Sequence, residues 1–381
     1  MSYVYSGCGT LILFIISLVV AKKGKLLADY ILIAWLFVFL LNVFTLFLIG
    51  QDGYSPKLLS EKLLFEFSEA SIFLHGPFFW FYTLALTQPK FALEKKYLVH
   101  VILFVASFSL LVRGAILEGS VSFNIRKWLI LLKMLSLVIY TLAVIIQLRR
   151  HRKSIRNIFS NTEEKQLNWI YFLCWGILTI WFVACTSLVV SVLLNISTLQ
   201  NINLFPNLAI CCFIYLMGFF GVRQNSIFVK IKSPNNPTPA AGNHPGAKEE
   251  MILPHFQKYK RSGLNRANAD NIYNNLIECM GKQKPYLNPD ISLFNLAELL
   301  SVQSNHLSQV INEKENQSFF DYINGYRVKA VKDLIMAGKL QEHTLLGIAL
   351  DCGFNSKASF NRAFKKSTGL TPTEYKNQIR T

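Results

Sequence analysis

Seven long apolar runs, each closed by a polar break, fill the first 221 residues: 4–20, 26–49, 63–87, 97–117, 128–148, 169–194 and 204–221. A hydrocarbon core about 30 Å thick takes about 20 helical residues to cross, and most of these runs reach that length. Helices buried in a large soluble protein would not recur seven times with polar loops between them. The pattern predicts a seven-helix transmembrane bundle over residues 1–222. Beyond residue 265 the pattern changes to short amphipathic segments with apolar positions three and four apart, such as Ile272, Leu276 and Met280. The predicted fold class is all-α throughout, the bundle being followed by a cytoplasmic all-helical domain over 266–381.

Composition agrees with two chemistries in one chain. Of the 381 residues 52% are hydrophobic and only 16% charged, against about 25% charged in an ordinary soluble domain. A wholly soluble, disordered or disulfide-framework protein is therefore disfavoured. The net charge is +17, and its placement carries topology. Met1 to Val20 holds no Lys or Arg, whereas Lys22, Lys23 and Lys25 follow it; a cleaved signal peptide has the opposite polarity. With the N-terminus outside, the inner loops 21–25, 88–96 and 149–168 hold twelve basic residues and the outer loops four. Basic residues stay on the cytoplasmic side, so the count supports an outside N-terminus and a cytoplasmic tail.

Ionisable groups inside spans are costly and so informative. Glu66 and Glu69 open the third run, Arg113 lies late in the fourth and Lys133 early in the fifth, all at similar depth near the outer boundary. They serve either as snorkelling or ion-paired groups that hold the bundle, or as a signal-sensing site. His75-Gly76-Pro77 suggests a kink in the third helix. The seven cysteines lack zinc-ligand spacing and read as packing residues. No metal site, cofactor motif or nucleophile–base set is evident, and no phosphate-binding Gly-rich loop follows a strand, so an enzyme is not expected.

The segment 233–246 has four Pro, two Gly and no aliphatic residue larger than Ala. It cannot bury enough surface to order itself, and the linker 223–265 is expected to be a flexible tether. Signal transfer by a rigid lever is accordingly not expected.

The tail contains an internal repeat. Leu293–Ile311 and Leu345–Phe364 align, with Ala297 on Ala349, Ser301 on Gly353, Val302 on Phe354, Leu307 on Phe360 and Ile311 on Phe364. Each copy reads as a short helix, a tight turn and a second helix. The alanines sit where helices cross closely, and Gly353 suits a positive-φ turn that Ser301 must adopt at some cost. The face opposite the apolar stripe carries Asn305, Ser308, Gln309 and Asn312 in the first copy, and Lys357, Asn361, Arg362 and Lys365 in the second. From 356 to 381 there are six Lys or Arg and one Glu. Amides and Arg can read adenine and guanine edges, so these faces suit a major groove. A long helix from Ser318 to Ile335, with Ser318 as its N-cap, would fix the spacing of the two copies.

The stretch from Ile348 through Cys352-Gly-Phe-Asn-Ser-Lys-Ala-Ser-Phe-Asn-Arg-Ala-Phe364 to Thr371-Pro-Thr-Glu-Tyr375 resembles the signature of the AraC/XylS family of bacterial transcription regulators. Asn305-His-Leu-Ser308 and Asn324-Gly-Tyr-Arg-Val328 are similar to that family too. The resemblance covers about residues 270–381. It implies two helix-turn-helix units that bind double-stranded promoter DNA, with RNA polymerase as a further partner. Asn305, Ser308 and Gln309 would contact bases in the first unit, and Lys357, Asn361 and Arg362 in the second. Where many relatives have a soluble sugar-binding barrel this chain has apolar spans, which resembles the membrane-anchored branch, so no effector carries over. The expectation is a multi-pass, one-component regulator in a bacterial inner membrane. The alternative is a membrane receptor or transporter whose tail binds protein partners.

Overall fold

The computed structural model describes residues 2–49, 58–88, 90–116, 123–162, 167–194, 204–223 and 264–380. The expected tether at 233–246 lies outside them. Among the described residues all regular elements are helical. The chain divides into two units, one of Met1–Leu148 with Leu167–Leu253 and one of Arg149–Gln166 with Pro254–Thr381.

The first unit contains α1 (Ser2–Ala21), α2 (Leu27–Ile49), α3 (Leu59–Thr87), a 3-10 turn (Lys95–Val101) that runs into α4 (Ile102–Ile116), most of α5 (Phe123–Arg156), α6 (Asn168–Leu194) and α7 (Leu204–Arg223). Among the described residues four stretches are long and apolar enough to cross a membrane: Tyr3–Ala21, Leu27–Ile49, Lys95–Ile116 and Trp128–Arg156. The helix α3 has the length but carries Glu61, Lys62, Glu66 and Glu69 in its first three turns. The described apolar parts of α6 and α7 are shorter, at Asn168–Val183 and Ala209–Arg223. Packing runs α1 on α2 and α7, α2 on α3, α3 on α4 and α6 on α7. Trp35, Phe39, Phe79, Tyr82 and Phe213 lie in the buried core. Large apolar side chains including Phe37, Phe44, Leu131, Leu135, Phe172 and Trp175 face outward, a surface that suits hydrocarbon better than water.

The helix α3 continues through Pro77 without a break. Gly76 permits a close approach: a Cβ there would meet the Tyr140 ring of α5 at 2.6 Å. Next to it, the donor-only Trp35 indole gives its N–H to His75 Nδ1 at 3.0 Å, and His75 Nε2 lies 3.1 Å from Asn42 Nδ2.

The second unit contains α8 (Arg266–Lys282), a 3-10 turn (Pro285–Leu287), α9 (Leu293–Leu299), α10 (Ser304–Glu315), α11 (Phe319–Met336), α12 (Leu345–Asp351), α13 (Lys357–Thr368) and α14 (Pro372–Arg380). Local chemistry sets the starts. Asn265, Ser292, Ser318, Thr344 and Ser356 each accept a hydrogen bond from the backbone N–H three residues on, which satisfies one of the orphan donors of a first helical turn. The connector α11 starts after its Ser318 cap as the sequence indicates, and it serves two cores. Phe319, Tyr322 and Ile323 join Leu276, Leu293, Leu307 and Ile311. One to three turns on, Val328, Val331 and Ile335 join Ile348, Phe354, Phe360 and Phe364.

One part of this unit comes from far upstream. Residues 149–168 read as a solvated basic loop, yet α5 stays helical to Arg156. Ile155, Ile158, Ser160 and Thr162 are buried, and Phe159 pairs with Ser292 in an isolated antiparallel bridge.

Candidate nucleic-acid interface

The pairs α9–α10 and α12–α13 are joined by turns of one geometry. Ser301 N–H donates to Glu298 O and Val302 N–H to Ala297 O; in the second pair Gly353 N–H donates to Leu350 O and Phe354 N–H to Ala349 O. Both turns thus pair one bond across three residues with one across five. Ser301 has φ 53° and Gly353 φ 92°, as the aligned positions suggest. The two sites differ in crowding. A Cβ on Gly353 would lie 2.5 Å from Tyr286 O and 2.9 Å from Leu287 O.

The second helices differ more. On α13, Lys357, Asn361, Arg362 and Lys365 are all exposed, and the helix carries no acidic residue. On α10, Asn305 is exposed and Asn312 half-buried. Ser308 and Gln309 are 2% and 8% exposed, which corrects the expectation that they lie open with the other two. Residues 307–311 form a continuous buried arc wider than the apolar stripe. Within it Gln309 Nε2 donates to Glu313 Oε1 at 2.9 Å, along the helix, and Asn312 Nδ2 donates to Ser308 O at 2.7 Å.

The two pairs meet at Arg327 of α11, which is 1% exposed. Its Nε donates to Tyr286 O at 2.8 Å, its Nη1 to Asn324 Oδ1 at 3.3 Å, and its Nη2 to Asn288 O at 2.8 Å and Ser160 Oγ at 3.2 Å. The guanidinium lies 5.9 Å from the Phe354 ring centroid. One buried cation thus touches the turn of the second pair, the approach to the first and the upstream segment. Burial lowers its pKa to about 10, and it stays charged at neutral pH.

A second node forms around Asp321. Arg156 Nη2 donates to both carboxylate oxygens, at 2.9 and 3.0 Å, and Lys366 Nζ lies 2.8 Å from Oδ1. Burial pushes the Asp321 carboxyl up, but hydrogen bonds from Lys366 and Ser318, with the Arg156 charge, outweigh it and hold the group below its ordinary value. A cavity of about 510 Å³ opens beside this node, with Arg152, Arg362 and Lys366 in its wall.

In the apolar unit, Glu69 and Lys133 pair at 2.7 Å and Glu66 pairs with Arg126 at 3.2 Å. Lys133 is 4% exposed. Arg113 is exposed, and the described ion pairs do not include it. Arg126, the partner actually used, was legible only as a loop charge. Glu69 also lines a cavity of about 270 Å³ with Trp35, Asn42, His75, Trp181 and Phe213.

Comparison with known proteins defines the class. The family model described as a helix-turn-helix domain matches residues 296–378, and this region carries an AraC-type helix-turn-helix domain. An uncharacterized HTH-type transcriptional regulator of Staphylococcus aureus (strain COL) is 35% identical over 92 residues, 24% of this chain and 12% of the relative. The uncharacterized HTH-type transcriptional regulator YpdC of Escherichia coli (strain K12) is 26% identical over 113 residues, 30% of this chain and 38% of the relative. The chain thus spans well under half the length of either relative. No solved structure matches.

Proposed function

We propose that this chain is a multi-pass, one-component transcription regulator of a bacterial inner membrane. Its apolar unit receives a signal, and its C-terminal unit binds promoter DNA through two helix-turn-helix units. The observation that carries this reading is the duplicated turn, with its repeated backbone hydrogen bonds, inside the AraC-type domain. A carboxylate-free, exposed α13 supports it. Lys357, Asn361, Arg362 and Lys365 face the groove in the second unit, with Asn305 and Asn312 in the first. Ser308 and Gln309 take part only if the buried arc of α10 opens. The seven apolar runs of the sequence and the basic residues between them support an outside N-terminus and a cytoplasmic tail.

Mapping of DNA bound by the intact protein across the genome tests the reading. Discrete sites should appear, and Arg362→Ala should lose or blur them. An identical map for Arg362→Ala would remove that residue from base recognition, and no enriched sites at all would overturn the function. For the receiver, Glu69, which lines the cavity and pairs with Lys133, is the better candidate than Arg113. Glu69→Gln should alter the transcriptional response, whereas Arg113→Gln should not.

A further inference from the structure

The tether expected at 233–246 is one covalent route between the two halves. The upstream segment of the second unit supplies another. Residues 155–162 are buried in part and are fastened to the C-terminal helices by backbone pairing and by side-chain bonds. Ile155 and Ile158 are buried, at 4% and 1% exposure. Backbone pairing follows: Leu293 N–H donates to Ile158 O at 2.8 Å and Ser160 N–H to Ile291 O at 3.4 Å. The Leu293 N–H is an orphan donor of the first turn of α9, so the segment completes that helix end. Side-chain bonds finish the dock: Ser160 Oγ donates to Ile291 O at 2.7 Å and accepts from Arg327, and Arg156 grips Asp321 in a bidentate pair while its guanidinium lies over the Phe320 ring.

These contacts fall on the residues that set the two helix pairs against each other. Arg327 touches the second turn through Phe354 and the first pair's approach through Asn288. Asp321 is shared between Arg156 and Lys366 of α13. The segment is also the direct continuation of α5, whose Lys133 meets Glu69. We infer that residues 149–162 are a docking strap, the C-terminal helical domain being its partner, and that the apolar half controls the two helix pairs through this strap rather than through the tether. The inference rests on the function proposed above.

The dock offers its own probe. Phe159 and Ser292 are a non-hydrogen-bonded antiparallel pair, since the bonds lie at the flanking positions. Such pairs have Cα atoms about 4.5 Å apart, within disulfide range. The full-length Phe159→Cys, Ser292→Cys protein, with a protease site inserted within 233–246, is oxidised in native membranes and cleaved. The two fragments should stay joined until reductant is added, while the single-cysteine variants should separate. Ile158→Asp should reduce the cross-link to the level of those controls. Both Ile158→Asp and the milder Ser160→Ala should change transcription from a mapped promoter about threefold or more at equal protein level. Failure of the parent pair to cross-link above controls would overturn the dock. Unchanged transcription in Ser160→Ala and in the oxidised, locked protein would overturn the control role, even if Ile158→Asp proves unstable. If Arg362→Ala leaves the DNA map intact while the cross-link forms, the assigned DNA contact fails and the strap stands.

Discussion

The two helix pairs of the C-terminal unit share one backbone plan and differ in what surrounds it. At the same turn position the first pair places Ser301 in open surroundings with φ 53°, and the second places Gly353 at φ 92° beneath two carbonyls. On the second helices, α10 draws Ser308 and Gln309 into a buried arc, whereas α13 leaves its polar face exposed. A duplicated pattern therefore does not guarantee duplicated work. The turn geometry comes from local hydrogen bonds and repeats; the burial of a face depends on neighbours and need not.

The sharpest break of this comparison lies at the turns. Gly353→Ala should destabilise the domain by roughly 2–4 kcal/mol, from left-handed strain plus overpacking, while Ser301→Gly should stabilise it by about 1 kcal/mol. Thermal melts of the purified full-length protein check both; equal responses at the two turns would erase the distinction. Next comes the node that joins the pairs. Arg327→Met should cost about 2–3 kcal/mol, since buried carbonyls of Tyr286 and Asn288 lose their donor. A melt within error of the parent would show that the node does not hold the pairs together.

Recognition should show the asymmetry of the second helices. Arg362→Ala should weaken promoter binding by about 1–3 kcal/mol and relax preference at one base pair, and Ser308→Ala, being buried, should leave preference unchanged. Lys365→Ala should weaken binding to all sequences and lower the salt slope by about 0.9. Binding titrations over a salt series separate these outcomes.

The smallest effect concerns Asp321. Its folded pKa is depressed, so the stabilisation it brings is present above the unfolded value and is lost as pH falls through the folded one. Asp321→Asn should cost up to about 1 kcal/mol at neutral pH and flatten the loss of stability on the acid side. Parallel melts from neutral to acid pH read that difference.

Much was legible in the sequence because it depends on near neighbours. Apolar run length marked the helices of the first half, and the 52-residue offset between Ala297 and Ala349 located both turns. Ser318 announced the start of α11. Other features had no local signal. Ser308 and Gln309 are spaced like surface residues, and nothing in their neighbourhood says that α10 buries a broader arc. Arg126 looked like a loop charge until α3 brought Glu66 to it. Pro77 marked a possible kink, but only the packing shows that Gly76 beside it lies against the Tyr140 ring.

By itself the sequence determined which stretches are helical, where the repeated turns fall and which half is apolar, because hydrogen-bonding range and side-chain period act over a few residues. Folding alone brings residues 155–162 into the C-terminal unit, across 131 positions between Ser160 and Ile291. A basic, serine-bearing segment has no periodicity that names a distant partner. Its choice is made by an unfilled helix end at Leu293, a buried guanidinium at Arg327 and a carboxylate at Asp321, which come together only when the chain has folded.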